Sequence, residues 1–215
     1  MGHGADFVLG HQKGRDMLKP RRQGGVTLVE LMVGIAVVAI VLAMGAPSFA
    51  LWLQNAQNRV AAESIQSGMQ LARAEAVKRN TAVRFTLTDP TGLVAWSVGC
   101  VTVGDDCPAS IQRREAAEGS ANARVGVSTQ AIPSPLPAGQ FNSALAAGAG
   151  LSAGVSFDGM GRVPAANIGT DITRADVTNA ALPSARRLVI VVGTGGQVRM
   201  CDPAVALSAS PQGCM

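Results

Sequence analysis

The chain has 215 residues, of which 47% are hydrophobic, 15% charged and 3% aromatic, with 25 Gly, 11 Pro and a formal net charge of +4. This length allows one domain with an appendage, and the low charge with positive mean hydropathy argues against a disordered chain. There is no Tyr, and His3 and His11 are the only histidines, so everything downstream must work without imidazole, which excludes Ser-His-Asp and Cys-His nucleophiles and His-ligated zinc there.

The positive charge is local. Met1–Gly25 carries Lys13, Arg15, Lys19, Arg21 and Arg22 against Asp6 and Asp16, leaving thirteen basic and twelve acidic side chains for the rest. A basic leader says nothing about the partner of the part that folds.

Val26–Ala46 is a run of 21 residues whose single charge is Glu30, and apolar character continues through Phe49, Leu51, Trp52 and Leu53. About 20 apolar residues at 1.5 Å each match a hydrocarbon core of roughly 30 Å, so the run predicts a membrane-spanning helix. Lys19, Arg21 and Arg22 precede it, which predicts a cytoplasmic N-terminus and a C-terminal domain on the far side. A removed signal peptide fits less well, because the apolar core is long and its small-residue cut sites run into Pro47. Glu30 is costly inside a spanning helix, by a few kcal/mol on insertion scales, and calls for a partner.

Gly25-Val-Thr-Leu-Val-Glu30 resembles the signal of type IV pilins and type II secretion pseudopilins, with Val26 standing where that family usually has Phe. The resemblance implies that a prepilin peptidase cuts between Gly25 and Val26 and methylates the new amine. It also implies that Glu30, the fifth mature residue, pairs with a neighbouring subunit's amine. Pro47 becomes mature residue 22, where pilin helices commonly carry a kinking proline. Residues 1–25 are then a leader, and Met17 would start a nine-residue version, MLKPRRQGG, nearer the usual pilin length.

Beyond the transmembrane or filament-core segment 26–53, residues 54–80 predict the amphipathic half of the same helix. Ala61, Ile65, Met69, Ala72 and Ala76 fall on one stripe of a 3.6-residue period, and Arg59–Glu63 and Glu75–Arg79 form i,i+4 pairs on the wet side. From Thr81 the period changes. Strands are predicted at Val83–Leu87, Leu93–Val98, Val125–Thr129, Gly154–Phe157, Arg162–Val163, Leu188–Val192 and Gln197–Cys201, with turns at Asp89–Gly92, Asp158–Gly159 and Gly193–Gly196. Ser120–Gly154, rich in Ala, Gly, Ser and Pro, reads as long, poorly packed loops around one short strand. The order of elements gives α+β: a long N-terminal helix packed on an antiparallel, β-sandwich-like domain spanning 81–215. Leu71–Asn80 and Val198–Met215 resemble the GspH/FimT branch of the pilin superfamily, whose members are minor pilins or tip pseudopilins.

Cys100, Cys107, Cys201 and Cys214 all follow the membrane segment, in an oxidising compartment if the topology is as read. Four cysteines allow three pairings; proximity favours Cys100–Cys107 and Cys201–Cys214, each worth about 2–3 kcal/mol. The spacings do not resemble zinc knuckles.

Gly193-Thr-Gly-Gly196 is a strand-to-strand turn rather than a nucleotide loop, because Val198 stands at the third glycine position and no helix follows. The resemblance also raises DNA capture, which some FimT-like minor pilins perform through G-R-x-R. Here the stretch is Gly196-Gln-Val-Arg199, and Arg162, Arg186, Arg187 and Arg199 are the candidate phosphate contacts. The near-neutral mature chain and its few aromatics weigh against it. The remaining rival is a bitopic membrane protein with a ligand-binding or enzymatic domain, whose only carboxylates near turns are Asp105, Asp106 and Asp158. The expectation is a filament subunit that is not an enzyme and takes no cofactor or metal. It is held in the cell inner membrane with a periplasmic domain, and its partners are a prepilin peptidase, other pilins or pseudopilins and the membrane.

Overall fold

The computed structural model describes residues 25–116, 118–137 and 139–214. The leader residues 1–24, including the alternative start at Met17, lie outside the described residues. The chain divides into two compact units, Met1–Met44 and Gly45–Met215.

In the first unit the described residues are 25–27 and the start of α1, which runs Leu28–Arg79 and contains Pro47. Every apolar side chain from Val26 to Met44 is exposed, with Val26 at 74% and Met44 at 76%. Among the described residues, α1 is the one helix long and apolar enough to cross a membrane.

In the second unit α1 buries Asn58, Ala61, Ala62, Ile65, Gly68, Met69, Ala72 and Ala76, the predicted stripe with three additions. Arg59–Glu63 and Arg79–Glu75 pair at 2.7 Å on the opposite side. The Arg79 hydrogen bond holds the Glu75 carboxyl below its usual range. Asn80 ends the helix at φ 48°, and the Thr81 N–H bonds back to the Ala76 carbonyl at 3.2 Å, a left-handed cap.

Among the described residues eight strands follow: β1 (Val83–Leu87), β2 (Trp96–Cys100), β3 (Gln112–Arg114), β4 (Ala123–Ser128), β5 (Gly154–Phe157), β6 (Arg174–Asn179), β7 (Leu188–Val192) and β8 (Val198–Cys201). They form two antiparallel sheets, ordered β3-β2-β1-β5 and β4-β6-β7-β8. Phe85 faces Val98 and Val155 across the first sheet, and Val177 faces Val125 and Leu188 across the second. Both sheets share one apolar core with Ile65 and Met69 of α1. Where the helix crosses the first sheet, a Cβ on Gly68 would stand 2.7 Å from Phe85 Cε2 and 3.2 Å from Trp96 Cε2. Gly68→Ala is therefore expected to destabilise the unit by about 1–3 kcal/mol through overpacking, read as a lower urea midpoint at unchanged slope.

The strand expectations need four corrections. β6 was not predicted, because Ala175 and Val177 are the only apolar residues in Arg174-Ala-Asp-Val-Thr-Asn, too few against its charged positions to mark a strand; its charged face is buried all the same. β3 is a three-residue strip too polar to stand out. Arg162–Val163 forms no strand: the Asp158 carboxylate accepts from Met160 and Arg162 N–H at 2.9 and 3.0 Å, which curls the segment into a turn. The second strand starts at Trp96 rather than Leu93, since Leu93 and Ala95 are still engaged in a turn contact. The segment 120–154 forms loops around β4, mostly exposed or half-buried among its described residues, but they are pinned at particular points. Its Phe141 is 2% exposed, and Gly148 and Val127 bond to Val125 and Ala149 along the outer edge of β4. A Cβ on Gly126 would lie 2.1 Å from the Ala146 carbonyl oxygen, so only glycine lets the loop lie there.

Candidate functional site

The N-terminal site is built by the first turn of α1. Gly25 and Val26 precede the helix and are exposed. The Glu30 N–H donates to the Thr27 hydroxyl at 3.2 Å, and the Glu30 carboxylate accepts from the Thr27 N–H and hydroxyl at 3.1 Å. This is a reciprocal capping box, which satisfies donors that a helix start otherwise leaves orphaned. Glu30 thus has a local partner that the sequence reading left out, although T-x-x-E is its signal. Both Thr27 and Glu30 are exposed, so the carboxylate remains accessible while it caps.

At the other end of the apolar run the sequence switches abruptly to Gln54, Asn55, Gln57 and Asn58, and the structure shows why. Asn58 donates to the Arg186 carbonyl at 2.9 Å and accepts from Asn179 at 3.1 Å. Gln54 accepts from Asn122 and Asn179 at 3.2 and 3.1 Å, Gln57 from the Asn122 N–H at 3.0 Å, and Asn55 from the Arg186 N–H at 2.7 Å. Four consecutive-turn amides therefore latch α1 to the loops flanking β4 and β6–β7. Amides tolerate both donor and acceptor partners, so one helix face reads two loops at once.

Cys100 joins Cys107 and Cys201 joins Cys214, with Cα–Cα distances of 5.7 and 5.0 Å. The first bridge closes a loop containing Asp105 and Asp106, and Arg79 donates to the Asp106 carbonyl. The second closes the tail onto β8, where Asp202 N–H bonds to Gln212 O at 2.7 Å. Among the described residues no group of His, Cys, Asp or Glu is arranged to hold a metal.

The four arginines proposed as phosphate contacts are each engaged within the chain. Arg187 donates to the Asp176 carboxylate at 2.6 Å and to the Phe141, Asn142 and Ser143 carbonyls. Arg186 pairs with Asp202, and Arg199 binds the Pro211 and Gly213 carbonyls at 3.1 and 2.6 Å. Arg162 stands 3.9 Å from Asp158. Buried Arg114 binds carbonyls and a hydroxyl instead of a carboxylate, and burial pushes its guanidinium pKa down.

The family model of GspH, described as type II transport protein GspH, matches residues 61–196, and that of the prokaryotic N-terminal methylation motif matches residues 20–46. No curated protein matches. Among solved structures, the type IV minor pilin FimU of Pseudomonas aeruginosa (strain PAO1) is similar at 16% identity and a TM-score of 0.42, covering 73% of this chain and 94% of that one. The minor pseudopilin EpsH from the type 2 secretion system of Vibrio cholerae is similar at 9% identity and a TM-score of 0.42, covering 69% of this chain and 99% of that one. The first family match takes in the buried stripe of α1 and the strands from β1 to β7, and the second takes in Gly25, the capping box and the exposed apolar turns, so the chain belongs to the GspH family of type II transport proteins and carries the prokaryotic N-terminal methylation motif.

Proposed function

We propose that this chain is a minor pilin or pseudopilin, cut between Gly25 and Val26 by a prepilin peptidase, methylated at Val26, and assembled into a type IV pilus or type II secretion filament. Before assembly it sits in the inner membrane as a single-pass protein with its C-terminal domain in the periplasm. The observation that carries this reading is the exposed apolar start of α1 with one carboxylate, Glu30, a single turn beyond Gly25–Val26. Apolar side chains left uncovered over that length need lipid or other helices around them. Glu30 in that setting is stabilised by a partner's amine, since an unpaired charge in low dielectric is costly. The two bridged loops and the amide latch would keep the exported unit rigid during assembly. DNA capture has less support, because three of its four candidate arginines, Arg186, Arg187 and Arg199, already hold chain carbonyls or carboxylates.

The test is the mass of the chain recovered from cells. It is expected to begin at Val26 and to carry one methyl group. Gly25→Ala should slow cutting mildly and Gly25→Leu should block it, since a peptidase seat that fits glycine excludes a branched side chain. Mature material that retains residues ahead of Val26 would overturn the proposal.

A further inference from the structure

A cleft of about 380 Å³ within the Gly45–Met215 unit is lined by Trp52 and Arg59 of α1 and by Arg186, Met200 and Gln212. Arg186 is fixed beside the helix: its N–H donates to Asn55 at 2.7 Å and its carbonyl accepts from Asn58 at 2.9 Å, within a turn of Arg59. Arg59 gives its Nε to Glu63, and Arg186 gives its Nε to Asp202. The terminal amino groups of both guanidiniums make no hydrogen bond among the described residues, and the side chains are 63% and 44% exposed. Asp202 is buried, and its oxygens are occupied by Arg186 and the Ala204 N–H. Exposed Trp52 adds an apolar wall. The cleft therefore presents free guanidinium donors beside an aromatic surface, a setting for carboxylates with apolar neighbours.

A turn of the opposite character stands at the other end of the same unit. Gly104 and Cys107 exchange N–H···O bonds of 3.0 and 3.1 Å, and the Cys100–Cys107 bridge closes the loop behind them. Arg79 fastens the turn to the end of α1 through the Asp106 carbonyl. At its tip Asp105 and Asp106 are exposed, and neither carboxylate pairs with a cation among the described residues. Lys78 and Arg79 behind them both pair with Glu75, at 3.3 and 2.7 Å. Val101 and Val103, just before the tip, are exposed as well. The turn is thus a rigid acidic knob with apolar shoulders, and a preorganised element loses little freedom on docking.

Arg59 of the cleft and Arg79 at the knob lie on one unbroken stretch of α1, separated by about 30 Å at 1.5 Å per residue. The knob and the cleft of one chain therefore cannot meet. A second copy displaced along α1 by that length brings its knob to the cleft, carboxylates to guanidiniums and valines to Trp52. The two helices then run parallel, which insertion in a single membrane also requires. Such a contact joins different patches on the two partners, so it extends into a row instead of closing as a twofold pair.

We infer that copies of this chain dock head to tail, the Asp105–Asp106 turn of one seated in the Arg59–Arg186 cleft of the next. The inference rests on the assembly proposed above and names one contact that lines its subunits up. Because the paired charges are exposed before docking, they steer the approach and make the contact sensitive to salt.

The test measures self-association of the full chain in a neutral detergent by sedimentation. Oligomers that grow with concentration are expected at low salt and should disperse as salt is raised. Arg59→Glu spoils the cleft, and Asp105→Asn with Asp106→Asn spoils the knob; each is expected to weaken association about tenfold or more. All three positions are exposed, so both variants should melt close to the parent chain. Mixed in equal amounts, the two variants are expected to form a dimer that grows no further, because one supplies a sound knob and the other a sound cleft. A parent chain that stays monomeric, association unaltered in either variant, or a mixture that fails to pair overturns the inference. So does a cleft that takes a different filament subunit, seen as co-purification of that subunit lost in Arg59→Glu while the pure chain stays monomeric. The mass of the chain separates the two readings: an uncut chain that associates through these residues defeats the filament reading alone, whereas a mature chain of the expected mass that does not associate defeats only this inference.

Discussion

Asp176→Ala is expected to cost about 3–5 kcal/mol of stability and to lower the melting temperature of the full chain by about 10 °C or more. Asp176 is fully buried at the centre of β6, where it takes Arg174 through two hydrogen bonds of 2.7 and 2.8 Å and Arg187 through one of 2.6 Å. It also accepts from the Leu145 N–H at 3.1 Å. The two guanidiniums in turn reach the carbonyls of Gln140, Phe141, Asn142 and Ser143, and Arg174 lies 5.1 Å from the centre of the Phe141 ring. Removing the carboxylate leaves a buried cation, Arg174, and a half-buried one, Arg187, without a counter-charge, and the loop they hold loses its anchor. The loss should therefore be local as well as global. Hydrogen exchange at Leu145 and its neighbours should accelerate more than exchange in β1. Replacing Arg174, Asp176 and Arg187 together by apolar residues should recover much of the loss, because the cost lies in unpaired charge rather than in the pair itself. A melting temperature unchanged in Asp176→Ala would show that water already screens this network.

Glu30→Gln is expected to leave cutting after Gly25 intact while removing the chain from filaments. The choice of glutamine matters because Glu30 caps α1 in the structure and, in the assembly proposed above, also pairs with an amine. As a cap it needs only an oxygen to accept from Thr27, which glutamine supplies. As an electrostatic partner for an amine it needs the negative charge, which glutamine lacks. Thr27→Ala is the mirror experiment: it weakens the cap by about 0.5–2 kcal/mol and keeps the charge. Filament incorporation, measured as co-purification with sheared filaments, should fall by orders of magnitude in Glu30→Gln and only slightly in Thr27→Ala. Incorporation lost in Thr27→Ala and kept in Glu30→Gln would assign Glu30 to the cap alone.

Much of the architecture was legible because periodicity and burial agree. The α1 stripe from Ala61 to Ala76, the strand Val83–Leu87 with its alternating burial, and Leu188–Val192 follow from local pattern, since their apolar side chains mark the core face directly. The capping box is written in Thr27 and Glu30, three residues apart as such a box requires. The amides from Gln54 to Asn58 look like an ordinary polar helix surface until their partners at Asn122, Asn179 and Arg186 are placed, more than 60 residues away.

The chain's own residues determined the exposed apolar turns, the lone acid beyond Gly25, the amphipathic half of α1 and the change of period at Thr81, because each depends on neighbours within a few positions. Tertiary structure alone decided that Arg174 and Asp176 lie inside, that Phe141 pins the loop beyond β4, and that Arg186, Arg187 and Arg199 are occupied within the chain. The physical reason is that charge in a sequence signals exposure by default, and that default fails wherever distant carbonyls and carboxylates gather to replace water.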